Sequence, residues 1–518
     1  MTLKEGENMS RKKLLTIVIV AAIVKLTIHF LTNTTYGFHR DAYLYLAQSQ
    51  HLSWGYISVP PLLAFVLAIQ RLMLPDTVFA LRLLPALIGV VNLFLIALIV
   101  RQMGGKKTAL IVALAAYLLS PAFLRSNTLI QPVSFNQMFW LLSAYVIIKI
   151  IKTQNPKFWI WLGVIAGIGF LNKYSVVFFF AGFFIAIFLT RERQWYKTKY
   201  PWIALLIGFL IALPNLVWQY NHNWPVVHHM HELRETQLVH VEVSGFILMQ
   251  LFMNISVAIV WIAGLIWLFA AKAGKAFRVL GWIYVFTTLI LLLASGKPYY
   301  TLGLYPMLFA AGGMAIQQIS ERFRFVPWVL VPLMALMLIP ILPFSIPVYS
   351  FPHMVKYGER ASQFGGAQLL RWEDGKHYDL PQDYADMTGW EEVAKNLGEV
   401  YQTIPVEERK TMIVYADSYG LAGAILFYKD KYNLPEAVSF NGSFIFWMPE
   451  QTEINSAIYL SELPREESTF FNKQELKIKN SDPYARNGGY IYYLTEPNGD
   501  IAKKWNDLKK ASIGEYGW

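Results

Sequence analysis

Three adjacent residues, His39, Arg40 and Asp41, stand in a stretch dense in groups that can move protons or hold charge: TYGFHRDAYLYLAQSQHLSWGYISVPP, residues 35–61. The same stretch carries Tyr43, Tyr45, His51, Trp54 and Tyr56, and it separates two apolar segments. A plain connector between membrane helices has no need of that chemistry. A loop that runs a polar reaction at the membrane surface does. Asp41 is the sharpest candidate, a carboxylate able to take the proton of an acceptor hydroxyl. Arg40 beside it offers a positive charge to that carboxylate or to a phosphate. The structural alternative for Asp41 is a helix cap or a solvated loop position.

Other clusters share this character. Gly296-Lys297-Pro298-Tyr299-Tyr300 sets a cation beside two phenols where a lipid phosphate would lie, and interfacial anchoring is the alternative. The segment 218–242 holds His222, His228, His229, His231, Glu232, Arg234, Glu235 and His240. His228 and Glu232 are four apart, as are His231 and Glu235, so on a helix each pair shares a face. That spacing can hold a divalent metal, but no HExxH accompanies it, and the segment reads better as an acceptor-binding or lid loop. In RSNTLIQPVSFNQMFW, residues 125–140, Arg125, Gln131, Asn136 and Gln137 either line a cavity or satisfy one another between helices. Lys173 adds a further cation. Ala416-Asp417-Ser418-Tyr419-Gly420 reads as a strand-to-helix turn capped by Asp417 or Ser418.

Composition says what positions these groups. The 518-residue chain is 55% hydrophobic and 15% charged, with a mean hydropathy of +0.37. That is too apolar for a soluble enzyme and indicates a polytopic membrane protein. The net charge of +11 does not argue for nucleic acid, because Lys and Arg gather in short clusters between apolar runs, as in membrane-protein loops. There is no cysteine, hence no disulfide framework and no thiol chemistry. Windows of about 17–25 apolar residues give about eleven spans. They lie near 14–31, 81–100, 109–124, 133–151, 158–171, 176–189, 202–218, 246–270, 280–293, 302–316 and 326–348. The basic N-terminus runs into the first window without a convincing cleavage site, so a retained helix is expected. Basic clusters fall in alternate loops and join Arg11, Lys12 and Lys13 on the cytoplasmic side. The stretch around Asp41, Lys173, the segment 220–242 and Lys297 then share the outer side. Residues 62–74 are apolar but too short to span, and Gln70 and Arg71 give them a polar side, which suits a helix lying at the interface.

After about residue 349 charge, Gly and Asn return and no span follows. The chain therefore divides into a membrane domain, 1–348, and an extracytoplasmic domain, 349–518. Strands are expected near 412–415, 457–460 and 490–494, and helices near 390–401, 421–432 and 501–510. Their alternation predicts a small α/β domain.

The stretch FHRDAYLYLAQSQHLSWGYISVPPLLAF resembles the first outer loop of the dolichyl-phosphate-mannose-protein mannosyltransferase-like membrane proteins, glycosyltransferase family 39 in the broad sense, to which the bacterial lipid A aminoarabinose transferase is related. The resemblance continues through SPAFLRSNTLIQPVSFNQMFW, GFLNKYS, ALPNLVWQYNHNWPVVHHMHELRETQLV and SGKPYYTLGLYPMLFAAGG, and into YADMTGWEEVAKNLGEVY and YADSYGLAGAILFY. It implies a GT-C-type fold that takes a sugar from a polyprenyl-phosphate carrier, undecaprenyl phosphate in bacteria, on the outer face of the cytoplasmic membrane, with inversion. The acceptor would be a protein, lipid or glycan hydroxyl. The family's catalytic carboxylate falls on Asp41. Lys297 is the first choice for the donor phosphate, with Arg40, Arg125 and Lys173 as alternates. His39, Tyr43, Tyr45, Gln131, Asn136, Tyr299 and Tyr300 are expected in the donor or acceptor pocket, and His228, His231, Glu232 and Glu235 in an acceptor loop. Two departures stand out: Ala42 follows Asp41 where the family often has Glu, and Asn136 stands where relatives often have Asp. Both remove a carboxylate that would hold a metal or act as a second acid. A transporter or flippase of lipid-linked sugar is the rival reading. Lys25 inside a span favours it, whereas the gathering of polar groups at span ends favours a surface reaction.

Overall fold

The computed structural model describes residues 10–465, 468–486 and 489–515. The chain forms two compact units, Met1–Thr34 with Arg82–Pro214 and Arg234–Val348, and Thr35–Leu81 with Asn215–Leu233 and Tyr349–Trp518. The sequence drew one boundary at 348/349 and left residues 35–81 and 215–233 with the membrane domain. By compactness these segments instead pack with the C-terminal region.

The first unit is helical. Ser10 caps the helix Arg11–Thr32 by accepting the Lys13 N–H at 3.3 Å. Leu14, Val18, Ala21, Lys25, His29 and Thr32 form its buried stripe, while Leu15, Ile19, Val20, Ile23 and Leu31 are exposed. Polar side chains inside and aliphatic ones outside is the pattern of a helix solvated by lipid. Lys25 is enclosed within the unit. Its Nζ donates to the Phe123 carbonyl at 2.9 Å and lies over the Tyr117 ring, whose hydroxyl links Asn92 and Asn127 at 3.1 Å each.

Among the described residues five helices are long and apolar enough to cross a bilayer: Arg11–Thr32, Val78–Gln102, Pro132–Thr153, Tyr200–Asn221 and Gly274–Leu293. The pair Val243–Phe252 and Ile255–Ala270 makes a sixth if counted as one span bent by 62°. Other predicted windows fall on shorter apolar helices, Lys107–Leu118, Lys157–Asn172, Val176–Phe188 and Val326–Leu338, and the window at 302–316 falls on Tyr305–Ser320. Proline breaks two of the windows. The helix that begins at Lys107 ends before Pro121, which opens the short helix Pro121–Ser126, and Val326–Leu338 ends before Pro340. A hydropathy window runs across such a break because it is blind to the missing N–H.

The second unit is built on a five-stranded sheet, β1 Met412–Ala416, β2 Ala437–Val438, β3 Ser456–Ser461, β4 Phe471–Lys479 and β5 Tyr490–Pro497, in the order β2-β1-β3-β5-β4. β1 is parallel to both β2 and β3, and β5 is antiparallel to β3 and β4. The expected strands and helices are present. β4 and the two-residue β2 are strands that sequence reading missed, and it also missed the helices Arg40–Gln50 and Phe351–Ala361. β4 is an exposed edge of charged and polar residues, FNKQELKIK, with little apolar signal. One face of the sheet buries Ile413, Ala457, Tyr492 and Leu494 against Ile501, Ala502 and Trp505 of the helix Ile501–Glu515.

Residues 35–81 are locked onto this unit. The Tyr36 ring stacks on Phe351 at 4.2 Å and its hydroxyl donates to the Tyr349 carbonyl at 2.6 Å. The helix expected near 62–74 is Leu62–Met73, with Phe65, Ile69, Leu72 and Met73 exposed. Gln70, expected with Arg71 on its polar side, is instead buried, because its amide donates to the Ala80 carbonyl at 2.7 Å. Arg71 pairs with Asp76 at 2.6 Å.

Candidate functional site

Asp41 sits in the first turn of the helix Arg40–Gln50. His39 caps that helix, its Nδ1 accepting the Asp41 N–H at 3.1 Å. The Asp386 carbonyl accepts the Arg40 N–H at 3.0 Å. The helix start is thus held by backbone and side-chain bonds at once, and the carboxylate projects from a fixed base.

The surroundings of Asp41 are charged. Tyr419 donates its hydroxyl to Asp41 Oδ1 at 2.7 Å. The Arg40 guanidinium lies 4.6 Å from the Tyr419 ring and 3.0 Å from Glu462. His39 Nε2 stands 3.6 Å from Asp383 and 3.7 Å from Asp386, and Asp386 is held by Arg486 at 3.1 Å. Asp386 is almost wholly enclosed, whereas the Asp41 side chain is 30% exposed. That difference separates an internal charge from one that can meet a reactant. Burial raises the Asp386 carboxyl above its ordinary range, opposed by the charges of His39, Arg486 and Arg40.

Burial alone would lower His39, and the cap bond also opposes a second ring proton, since it needs the Nδ1 lone pair. The nearby carboxylates of Asp383, Asp41 and Asp386 outweigh burial and raise the imidazole to about 9. A raised folded-state pKa stabilises the fold fully below the unfolded value near 6.5, and that contribution is lost as pH rises through about 9. Thermal melting of the parent and of His39→Gln should therefore converge as pH is raised from 6.5 to 9. A constant gap across that window would show that the ring stays neutral throughout.

Helix contacts bring Tyr419 to Asp41. Ser418, not Asp417, caps Tyr419–Tyr432, its hydroxyl accepting the Leu421 N–H at 3.3 Å. Asp417 instead accepts from the Ser461 hydroxyl at 2.8 Å. Gly423 allows the close approach, because a Cβ there would lie 2.8 Å from the Tyr43 backbone. Tyr43, expected in a pocket, is buried in an aromatic cluster with Phe38, Trp390, Phe427 and Tyr428. Tyr45 is buried as well. Gly423→Val should lower stability by about 1–3 kcal/mol by forcing the two helices apart. Detergent melting checks this, and an unchanged midpoint would show a looser contact.

The remaining candidates lie in the first unit or in the segment 215–236. Asn136, Lys173, Tyr299 and Tyr300 line one small cleft together with Val133, Gln137, Leu302 and Gly303. Lys173 Nζ lies 5.3 Å from the Tyr300 ring centre and 5.8 Å from that of Tyr299. Lys297 Nζ donates to Gln237 Oε1 at 2.6 Å. Arg125 donates to the Phe344 carbonyl at 3.0 Å. Gln131 is the residue before Pro132 at the start of Pro132–Thr153, and its side chain makes no cap bond. The histidine-rich segment, expected as a loop, forms the helix Pro225–Thr236. His229 approaches Glu232 at 3.8 Å, and His228 bonds the Asn223 carbonyl at 3.1 Å. His231, Glu232 and Glu235 are exposed. Among the described residues no group of three His, Asp or Glu side chains is placed to hold a metal ion.

Sequence reasoning passed over Tyr419, Asp383, Asp386, Glu462 and Arg486. YADMTGW and YADSYG carry two of them, Asp386 and Tyr419, but only the fold shows that both segments meet helix Arg40–Gln50.

Comparison with known proteins bears out the resemblance. Residues 58–218 match the dolichyl-phosphate-mannose-protein mannosyltransferase family. The chain is 25% identical over 202 residues to the lipid A galacturonosyltransferase RgtD of Rhizobium johnstonii, a match covering 38% of this chain and 41% of that relative. The match thus spans about two fifths of the length of that curated relative. The fold is that of ArnT from Cupriavidus metallidurans. The structure bound to undecaprenyl phosphate gives a TM-score of 0.64 at 12% identity, covering 93% of this chain and 98% of that one. The apo structure gives 0.59 at 13% identity, covering 92% and 98%. The GT-C fold expected from the sequence is therefore present, and the named relatives are glycosyltransferases.

Proposed function

We propose that this protein is a membrane glycosyltransferase that moves a sugar from a polyprenyl-phosphate donor to an acceptor hydroxyl on the outer face of the cytoplasmic membrane. The observation that carries the reading is the Asp41 carboxylate, partly exposed on a capped helix start and hydrogen-bonded through one oxygen. The named relatives support the reaction class, and the undecaprenyl phosphate bound by ArnT supports the donor class.

The chemistry is a direct displacement. The acceptor oxygen attacks the anomeric carbon while its proton passes to Asp41. The bond from that carbon to the phosphate oxygen breaks, and the polyprenyl phosphate leaves with the bonding pair. The configuration inverts. A phosphate leaves as a stable anion and needs no strong acid, so what the site must supply is positive charge as negative charge grows on the leaving oxygens. Lys297 is assigned that role, with Lys173 and Arg125 as alternates. Arg40 is the weakest of the four, since Glu462 and the Tyr419 ring already engage its guanidinium. The exposed apolar face of Leu62–Met73 would lie in the interface beside the prenyl chain. Incubating the purified protein with a lipid extract from cells fed radiolabelled glucose tests the reading. Label should pass from the lipid pool to a second envelope component, and movement of intact lipid without transfer would favour a flippase.

A further inference from the structure

We infer that Tyr419 is a positioning residue for Asp41, its hydroxyl holding the carboxylate in the orientation that receives the acceptor proton. This rests on the proposed reading of Asp41 as proton acceptor.

A carboxylate in the first turn of a helix and 30% exposed keeps one orientation only through fixed contacts. The Tyr419 bond at 2.7 Å fixes one oxygen and so fixes the plane of the group. A hydrogen bond to an ionised acceptor is stronger than a neutral one, which suits it to that task. Tyr419 is itself rigidly placed. It is the first residue of a capped helix, and its N–H donates to Asn441 Oδ1 at 3.1 Å. The Arg40 guanidinium covers its ring at 4.6 Å. Gly420 keeps the helix start close, because a Cβ there would lie 2.8 Å from Arg40 Cγ. Burial, reinforced by the charge of Asp41, pushes the phenol well above its ordinary range, so it remains a donor. His39, at 3.9 Å, and Arg40 are charged groups beside the Asp41 carboxylate. The C-terminal region thus supplies a group to the reaction from 378 positions along the chain, beyond any role in covering a cavity or presenting an acceptor.

The test is Tyr419→Phe in the full chain, purified and supplied with the same radiolabelled lipid extract. Phe keeps the ring beside Arg40 and removes only the hydroxyl. The maximal transfer rate should fall about tenfold, while the amount of extract giving half-saturation and the melting midpoint stay at the parental values. A parental rate overturns the inference, and so does a lower rate that comes with a lost melting midpoint and a changed half-saturation. Asp41→Asn assayed alongside separates the two levels. If that variant is inactive and Tyr419→Phe is parental, only the positioning role fails. If Asp41→Asn transfers sugar, the reading of Asp41 fails and this inference falls with it.

Discussion

Asp41→Asn abolishes sugar transfer and leaves the protein folded in the membrane: that is the largest effect expected from this structure. Asn has nearly the shape of Asp and still offers an oxygen to Tyr419, so the aromatic packing of Tyr43 and the caps at His39 and Ser418 stay in place. What it lacks is a site for the acceptor proton. General-base catalysis is worth about 10²–10⁴-fold, so transfer should drop by that factor at least. Abundance in the membrane fraction and the melting midpoint are the controls. The variant also removes a negative charge facing His39 at 3.9 Å and Arg40 nearby, and a small change in stability from that source would not imitate a loss of two to four decades. Retained transfer would take Asp41 out of its assigned role.

The second large effect is on the donor. Lys297→Ala should raise the amount of lipid donor needed for half-saturation by about 10- to 100-fold, the loss expected when a charge-assisted contact to phosphate is removed. Saturation by the acceptor should change far less. Lys297 is suited to this because Gln237 holds its ammonium in place through a bond at 2.6 Å. Unchanged donor saturation would return the phosphate to Lys173, which lines the cleft with Asn136, Tyr299 and Tyr300. In that event the same measurement on Lys173→Ala should show the donor effect.

Much of this was legible in the residues. Hydropathy marked the helical unit, and short apolar runs such as MIVYA and SAIYLS marked the buried strands β1 and β3. Asp41, Lys173, Asn136, Tyr299 and Tyr300 were picked out by type and place, and the fold gathers the last four around one cleft. The partners of Asp41 were not legible. Tyr419, Asp386 and Arg486 lie hundreds of residues away, and nothing local in YADSYG says that its second tyrosine faces a carboxylate rather than a core. Span ends were blurred for a different reason. Hydropathy sums side chains, while Pro121, Pro340 and the bend near Met253 act through the backbone. Gln70 misled because an amide on an apolar helix reads as a polar face until its buried partner, the Ala80 carbonyl, is known.

The most direct test is made on whole cells. Envelope lipids, glycans and proteins from cells lacking this chain, and from the same cells given back either the parent or the Asp41→Asn chain, are compared by mass spectrometry. The account predicts one component that loses the mass of a single sugar residue, regains it with the parent and does not regain it with the variant. An envelope unchanged by loss of the chain, or restoration by Asp41→Asn, would contradict it.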